Sequence, residues 1–325
     1  MIALTLTLSI LALLGSHYSI CYEFNRERGE IIRAILPFTI ILGHVSLLCG
    51  TQLSDFNWIG MFAVGIFFFI SGYGLEHKRQ NGDICLRGLE TRLRKLLFPL
   101  IIPCIVYIAV LYCCGENSKQ IIIRNIKDYC FILPFTWFVI VLCFMYIIFY
   151  ITAHYIKGQK AFFVTTALLI VLFSIINTSI FHIAYISLCN LAFPAGILYK
   201  QHEAKIIKSL SLRTVIAIIV MINTLALISK HLHNYFIPVE ILMWTVFAIV
   251  LYSMINLNSN KFTHFLSNIS YEVYLCQGIT FAILGQGAES HNILFHIIFA
   301  FILTSIIASA CHIMSQYLTK LIFRR

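Results

Sequence analysis

The sequence predicts an all-α polytopic membrane protein with about eleven transmembrane helices, on three observations. Hydrophobic residues make up 60% of its 325 residues and charged residues only 11%, with a mean hydropathy of +0.90. Soluble domains of this length do not carry such a composition. Apolar runs long enough to cross a hydrocarbon core of about 30 Å recur between short polar loops. They cover residues 2–19, 31–50, 58–75, 96–114, 136–154, 161–176, 184–199, 213–229, 237–255, 270–287 and 292–315. Lys and Arg collect in alternate loops, as retention of positive charge on the cytoplasmic side requires.

That charge pattern sets the orientation. With loops assigned to alternate sides, 19 of the 23 basic residues share one side, from Arg26, Arg28 and Arg33 through the Lys78–Lys95 segment to Arg325. Lys119, Arg124, Lys127 and Lys230 fall opposite, the first three in one longer loop with room for a short surface helix. The N-terminus is therefore expected outside and the C-terminus in the cytoplasm.

The first run has no Lys or Arg before it and no small-residue cleavage motif after it. Residues 1–22 thus read as an uncleaved additional N-terminal helix rather than a signal peptide. Residues 23–325 read as one integral membrane domain, with no long linker, low-complexity segment or internal repeat.

The same composition excludes several function classes. A net charge of +10 suggests nucleic acid in a soluble protein, but these cations border spans, where topology and anionic lipid account for them. The eleven cysteines are scattered, mostly within spans, without the paired spacing of a disulfide scaffold. The close pair His231 and His233 has no third ligand nearby, so no metal site is expected.

Within the second run, Arg33 and His44 are eleven residues apart. Ionisable groups inside a membrane span are costly to keep and usually functional. Eleven residues are close to three helical turns, so both side chains belong to one face, roughly 16 Å apart along the axis. Pro37 lies between them and is expected to bend the helix. Arg33 also suits a plainer role, snorkelling to the interface near a helix start.

The third run ends in Ser71, Gly72, Tyr73 and Gly74, which suits either ligand contact or an aromatic girdle followed by a helix stop. Ser71 has no triad partner in its vicinity and is not read as a nucleophile. The following cytoplasmic loop, EHKRQNGDICLRGLETRLRK, holds six Lys and Arg. Arg92 and Lys95, three apart, share a helical face suited to phosphate oxygens, with Arg94 beside them. Positive-inside topology alone would also fill this loop. Glu240 and Glu272 are acids within later spans and candidates to orient His44, Glu272 being the stronger. Trp137 and Tyr274 are candidates to line a cavity, with packing or interfacial anchoring as the alternative.

Taken in order, RGEIIRAILPFTIILGHVS, FFFISGYGL and TRLRKLLFP resemble acyltransferase family 3. These are polytopic bacterial membrane proteins that transfer acyl groups to hydroxyls of cell-envelope glycans. Weaker matches continue through TWFVIVLCFMYIIFYI, FPAGILYKQHEAKI and LSNISYEVYLCQGI. The likeness runs from about residue 28 nearly to the C-terminus. The family core usually has ten helices, which makes the first run an addition. Two positions depart from the family's pattern: Lys95 stands where Arg is frequent, and Gln277 ends a Tyr274-Leu275-Cys276-Gln277 segment that in the family usually ends in His.

The resemblance implies an O-acyltransferase of the bacterial inner membrane. It would use a cytoplasmic acyl-CoA, acetyl-CoA by family frequency, as co-substrate and bind no cofactor permanently. The acceptor would be a glycan or lipid-linked saccharide, and membrane lipid surrounds the protein. His44 would be the catalytic base, with Arg33 along the same face and Arg92, Arg94, Lys95, Ser71 and Tyr73 toward the donor. Direct transfer and an acyl-histidine relay both stay open. The rival class is a proton- or anion-coupled secondary transporter, which also uses intramembrane His, Arg and Glu. Neither related halves nor paired broken helices are found in the sequence. A third reading is a scaffold that binds lipid-linked glycan without chemistry.

Overall fold

The computed structural model describes residues 26–48, 59–179, 182, 184–209, 221, 237–254, 259–284 and 293–322. The expected N-terminal helix 1–22, the run at 213–229 apart from Met221, and His231 and His233 lie outside those residues. Among the described residues the regular structure is helical, with no strand. In chain order the α-helices are α1 (Arg26–Leu48), α2 (Ile59–Gln80), α3 (Leu86–Leu97), α4 (Ile101–Cys113), α5 (Ser118–Lys127), α6 (Trp137–Tyr155), α7 (Gln159–Ser179), α8 (Ala184–Ser187), α9 (Ala192–Ser209), α10 (Ile237–Met254), α11 (Lys261–Leu284) and α12 (Ile293–Ile322).

Among the described residues six helices are long and apolar enough to cross a membrane: Glu27–Ser46, Ile59–Gln80, Leu86–Cys113, Trp137–Tyr155, Gln159–Ser179 and Leu294–Ile322. Between its ends a helix satisfies its backbone donors and acceptors internally, which lipid demands. Large apolar side chains such as Leu168, Leu172, Ile298, Ile302 and Ile306 are exposed on α7 and α12, the expected surface for a helix in hydrocarbon. α11 is too polar for that group, carrying His264, Glu272 and Gln277, yet Ser267 and almost every residue from Ile269 to Phe281 are buried. Neighbouring helices shelter its polar groups.

Two compact units divide the chain. One takes residues 26–30, 61–84 and the described part of 148–259. In it, α2 and α9 meet backbone to backbone. A Cβ on Gly72 would stand 2.1 Å from the Phe193 carbonyl oxygen, and one on Gly196 would stand 2.0 Å from that of Phe69. Small residues at a crossing let helices approach closely in lipid. The glycines at 72 and 74 therefore do not stop the helix, since α2 runs on to Gln80. α1 also starts before the expected span, so Arg28 is buried inside a helix. Its guanidinium lies over the Tyr252 ring, while the Tyr252 hydroxyl donates to its carbonyl at 2.8 Å.

The run at 184–199, expected as one span, is broken between α8 and α9. Ser187 donates to the Ser174 carbonyl at 3.0 Å and Asn190 to the Ser174 hydroxyl at 2.9 Å. Side chains of this type draw the backbone out of regular helix when a tertiary partner is near.

The other unit takes residues 31–48, 59–60, 85–147 and the described part of 260–325. α11 lies along α12, joined by Thr304 donating to Thr280 at 2.8 Å and by His312 to Glu272 at 2.8 Å. α1 reaches α12 through an edge-on Phe38–Phe301 pair at 5.4 Å. The basic segment expected as a loop is largely helical. α3 continues through the short 3-10 turn Phe98–Leu100, with Pro99 in it, into α4. Tyr271 on α11 donates to the Leu96 carbonyl at 2.6 Å and pins that junction. The short surface helix in the next loop is α5, capped by Asn117, whose side chain accepts from the Gln120 amide at 3.3 Å.

Candidate functional site

α1 is an unbroken helix through Pro37, although the ring removes one amide donor from its ladder. Along the stripe from Arg33 to His44, Arg33 is exposed, Pro37, Ile40 and Ile41 are buried, and His44 is half-buried. His44 meets two groups that the sequence did not single out as its partners. Its Nδ1 lies 2.8 Å from Gln277 Oε1 on α11. Its ring stacks on Phe135, with centroids 4.1 Å apart and planes at 23°.

Phe135 belongs to the segment that leads from α5 into α6, and that segment is tightly tied. Asn125 on α5 donates to the Ile132 carbonyl at 2.7 Å. Thr136 donates to the Leu133 carbonyl at 2.7 Å and accepts from the Phe131 amide at 2.9 Å. Phe135 itself has φ of 63°, a left-handed conformation costly for an aromatic residue, about 1–3 kcal/mol. The Tyr274 hydroxyl on α11 donates to the Phe135 carbonyl. One turn on, Gly278 makes room for the segment, since a Cβ there would stand 2.5 Å from Pro134 Cγ. Phe281 meets Phe135 edge-on at 5.9 Å. α11 thus holds Phe135 from two positions, its neighbour Pro134 from a third and His44 from a fourth.

The other expected residues take varied places. Tyr274 is buried, bonded to Phe135 and edge-on to Phe138 at 5.4 Å. Trp137 is buried at the start of α6, two residues beyond Phe135. Glu272 does not orient His44, because its carboxylate accepts from His312. The far nitrogen of that imidazole lies 2.7 Å from the Gln316 amide nitrogen. Glu240 is buried on α10, its Oε1 without a hydrogen-bond partner among the described residues.

On α3, Arg92 is half-buried with its guanidinium over the Tyr146 ring at 5.4 Å, whereas Lys95 is exposed. Arg94 is exposed and paired with Glu90 one turn earlier. Arg92 and Lys95 occupy neighbouring turns of one helix face, as their spacing predicts.

Ser71 and Tyr73 lie on α2 in the other unit. Ser71 is half-buried. The Tyr73 hydroxyl donates to the Glu203 carboxylate at 2.8 and 3.0 Å. Lys200 joins both, with Nζ 2.6 Å from Glu203 Oε2 and 5.1 Å from the Tyr73 ring centre. A second buried cluster sits one turn along α2. There Glu76 accepts from Arg79 at 2.7 and 2.9 Å and from Gln201 at 3.0 Å. Arg79 also lies over the Phe162 ring at 4.3 Å.

Gln277 is the partner of His44 that sequence reasoning undervalued. Its position was visible at the end of the Tyr274–Gln277 segment, but its pairing with a residue 233 positions away was not. A family model described as an acyltransferase domain matches residues 30–314. No curated protein and no solved structure matches the chain.

Proposed function

The chain belongs to the acyltransferase 3 family, and from that premise we propose a membrane O-acyltransferase that moves a short acyl group from cytoplasmic acyl-CoA to a hydroxyl. Acetyl is the expected group, and a cell-surface or lipid-linked glycan is the expected acceptor. The reading includes eleven spans with the N-terminus outside, in a bacterial inner membrane. One observation carries it: the intramembrane imidazole of His44 is held by a neutral amide and an aromatic face, with no ion pair to it among the described residues.

In this reading His44 acts as general base. The neutral imidazole removes the acceptor hydroxyl proton as the oxygen attacks the thioester carbonyl, forming the new C–O bond. The tetrahedral intermediate collapses with cleavage of the C–S bond. The proton held by His44 passes to the departing thiolate, so CoA leaves as the thiol and the base is regenerated. No covalent enzyme intermediate is required. Arg92 and Lys95, with Arg94 beside them, supply cations for the phosphates of the donor. Arg33, exposed three turns before His44, adds a further cation on α1.

The test is mass spectrometry of envelope glycans from cells making the wild-type protein or His44→Ala. The wild type adds a short acyl mass to one glycan. The variant inserts normally, since little packing volume is lost, and leaves that glycan unmodified. A glycan acylated to the wild-type level in the variant removes His44 from the chemistry.

A further inference from the structure

We propose that Gln277 is a positioning residue that selects the reactive tautomer of His44, with Tyr274 and Phe135 fixing the plane of the ring. This inference rests on the reading of His44 as base.

The hydrogen bonds define the direction of the chain. The Tyr274 carbonyl can only accept, and it takes a bond from Gln277 Nε2 at 2.9 Å. The amide nitrogen of Gln277 therefore faces Tyr274, which turns Oε1 toward His44. Oε1 can only accept as well, so the proton of a neutral His44 resides on Nδ1, 2.8 Å away. Nε2 is left with its lone pair, the form a general base needs. When that base takes up a proton, the Nδ1–H bond to Gln277 stays in place, and no second proton moves.

The second restraint is steric. Phe135 packs flat on the imidazole, and its backbone is held in a left-handed conformation. That conformation persists because the surroundings over-determine it: the Tyr274 hydroxyl binds its carbonyl, and Gly278 admits the neighbouring proline. Strain of this kind, retained beside a reactive group, is a mark of pre-organisation. Tyr274 therefore serves both restraints, its carbonyl orienting the amide and its hydroxyl holding the stacked ring. Gln277 stands where the resembling family usually has His, and it supplies the acceptor without a second titrating group.

The experiment uses membrane vesicles carrying the full-length protein, radiolabelled acetyl-CoA, and label incorporated into vesicle glycan. Gln277→Met keeps the side-chain volume and removes the acceptor. Its maximal rate is expected to fall by about tenfold to a hundredfold, with KM for acetyl-CoA within about twofold. A Gln277→Met enzyme at the wild-type rate overturns the inference, as does a rise in KM alone. His44→Gln in the same assay separates the two claims. Loss there with full activity in Gln277→Met sinks only the tautomer role, whereas full activity in His44→Gln sinks the base itself.

Discussion

The ionic cluster buried in one unit and the surroundings of His44 in the other are partnered in opposite ways. Around α2 and α9, Glu76, Arg79, Tyr73, Lys200 and Glu203 neutralise one another through short, repeated bonds. Around α1 and α11, His44 meets a neutral amide and a phenyl ring. A charge that must remain in a low-dielectric interior needs an opposite charge, and a group so paired is held in one state. A base must change its charge during each turnover, and a neutral acceptor permits that without a large electrostatic opposition. The first arrangement is therefore read as architecture and the second as chemistry.

The sharpest way to break this comparison is to remove one member of the ionic cluster. Arg79→Met leaves Glu76 fully buried without its cation, and truncating one partner of a buried pair costs about 3–5 kcal/mol. Thermal unfolding in detergent is expected to show a large loss of stability, and the yield of folded protein should drop with it. An unchanged melting temperature would mean that the cluster is not architectural.

The glycine crossing gives the next effect. Gly72→Ala or Gly196→Ala places a Cβ about 2 Å from a backbone oxygen, and overpacking of this kind costs about 1–3 kcal/mol. Gly74, next along the same helix, has nothing within 4 Å of its would-be Cβ. Gly74→Ala is expected to melt with the wild type, so the pair of measurements separates close packing from a general need for glycine.

A smaller effect is expected on the donor side. Replacing Arg92 and Lys95 together by Ala removes cations but no reacting group, so KM for acyl-CoA should rise by about tenfold with the maximal rate retained. A donor dependence like that of wild type would leave those side chains to the Tyr146 contact and to topology.

How far this was legible in the sequence depends on the range of the forces involved. Long apolar runs mark α1, α2, α4, α6, α7, α10 and α12, because lipid selects on composition alone. His44 stood out for the same reason, as an imidazole in such a run. The break after Ser187 was hidden, since it depends on Ser174 lying against Ser187 and Asn190 in the folded chain. Gly72 suited two readings until Phe193 was found against it. The left-handed Phe135 has no local signal: the residue type argues against that conformation, and only Tyr274 and Gly278 explain it. Glu272 was considered for His44 on charge alone, but α11 turns it to His312 and presents Gln277 in its place.

The most direct measurement is the acyl-transfer rate per folded molecule, with purified His44→Gln and Arg79→Met compared at saturating acetyl-CoA. The account predicts a well-folded His44→Gln enzyme at about a hundredth of the wild-type rate or less. It predicts a less stable Arg79→Met enzyme whose folded fraction turns over normally. A His44→Gln enzyme near the wild-type rate would contradict it, as would an Arg79→Met enzyme fully folded yet inactive.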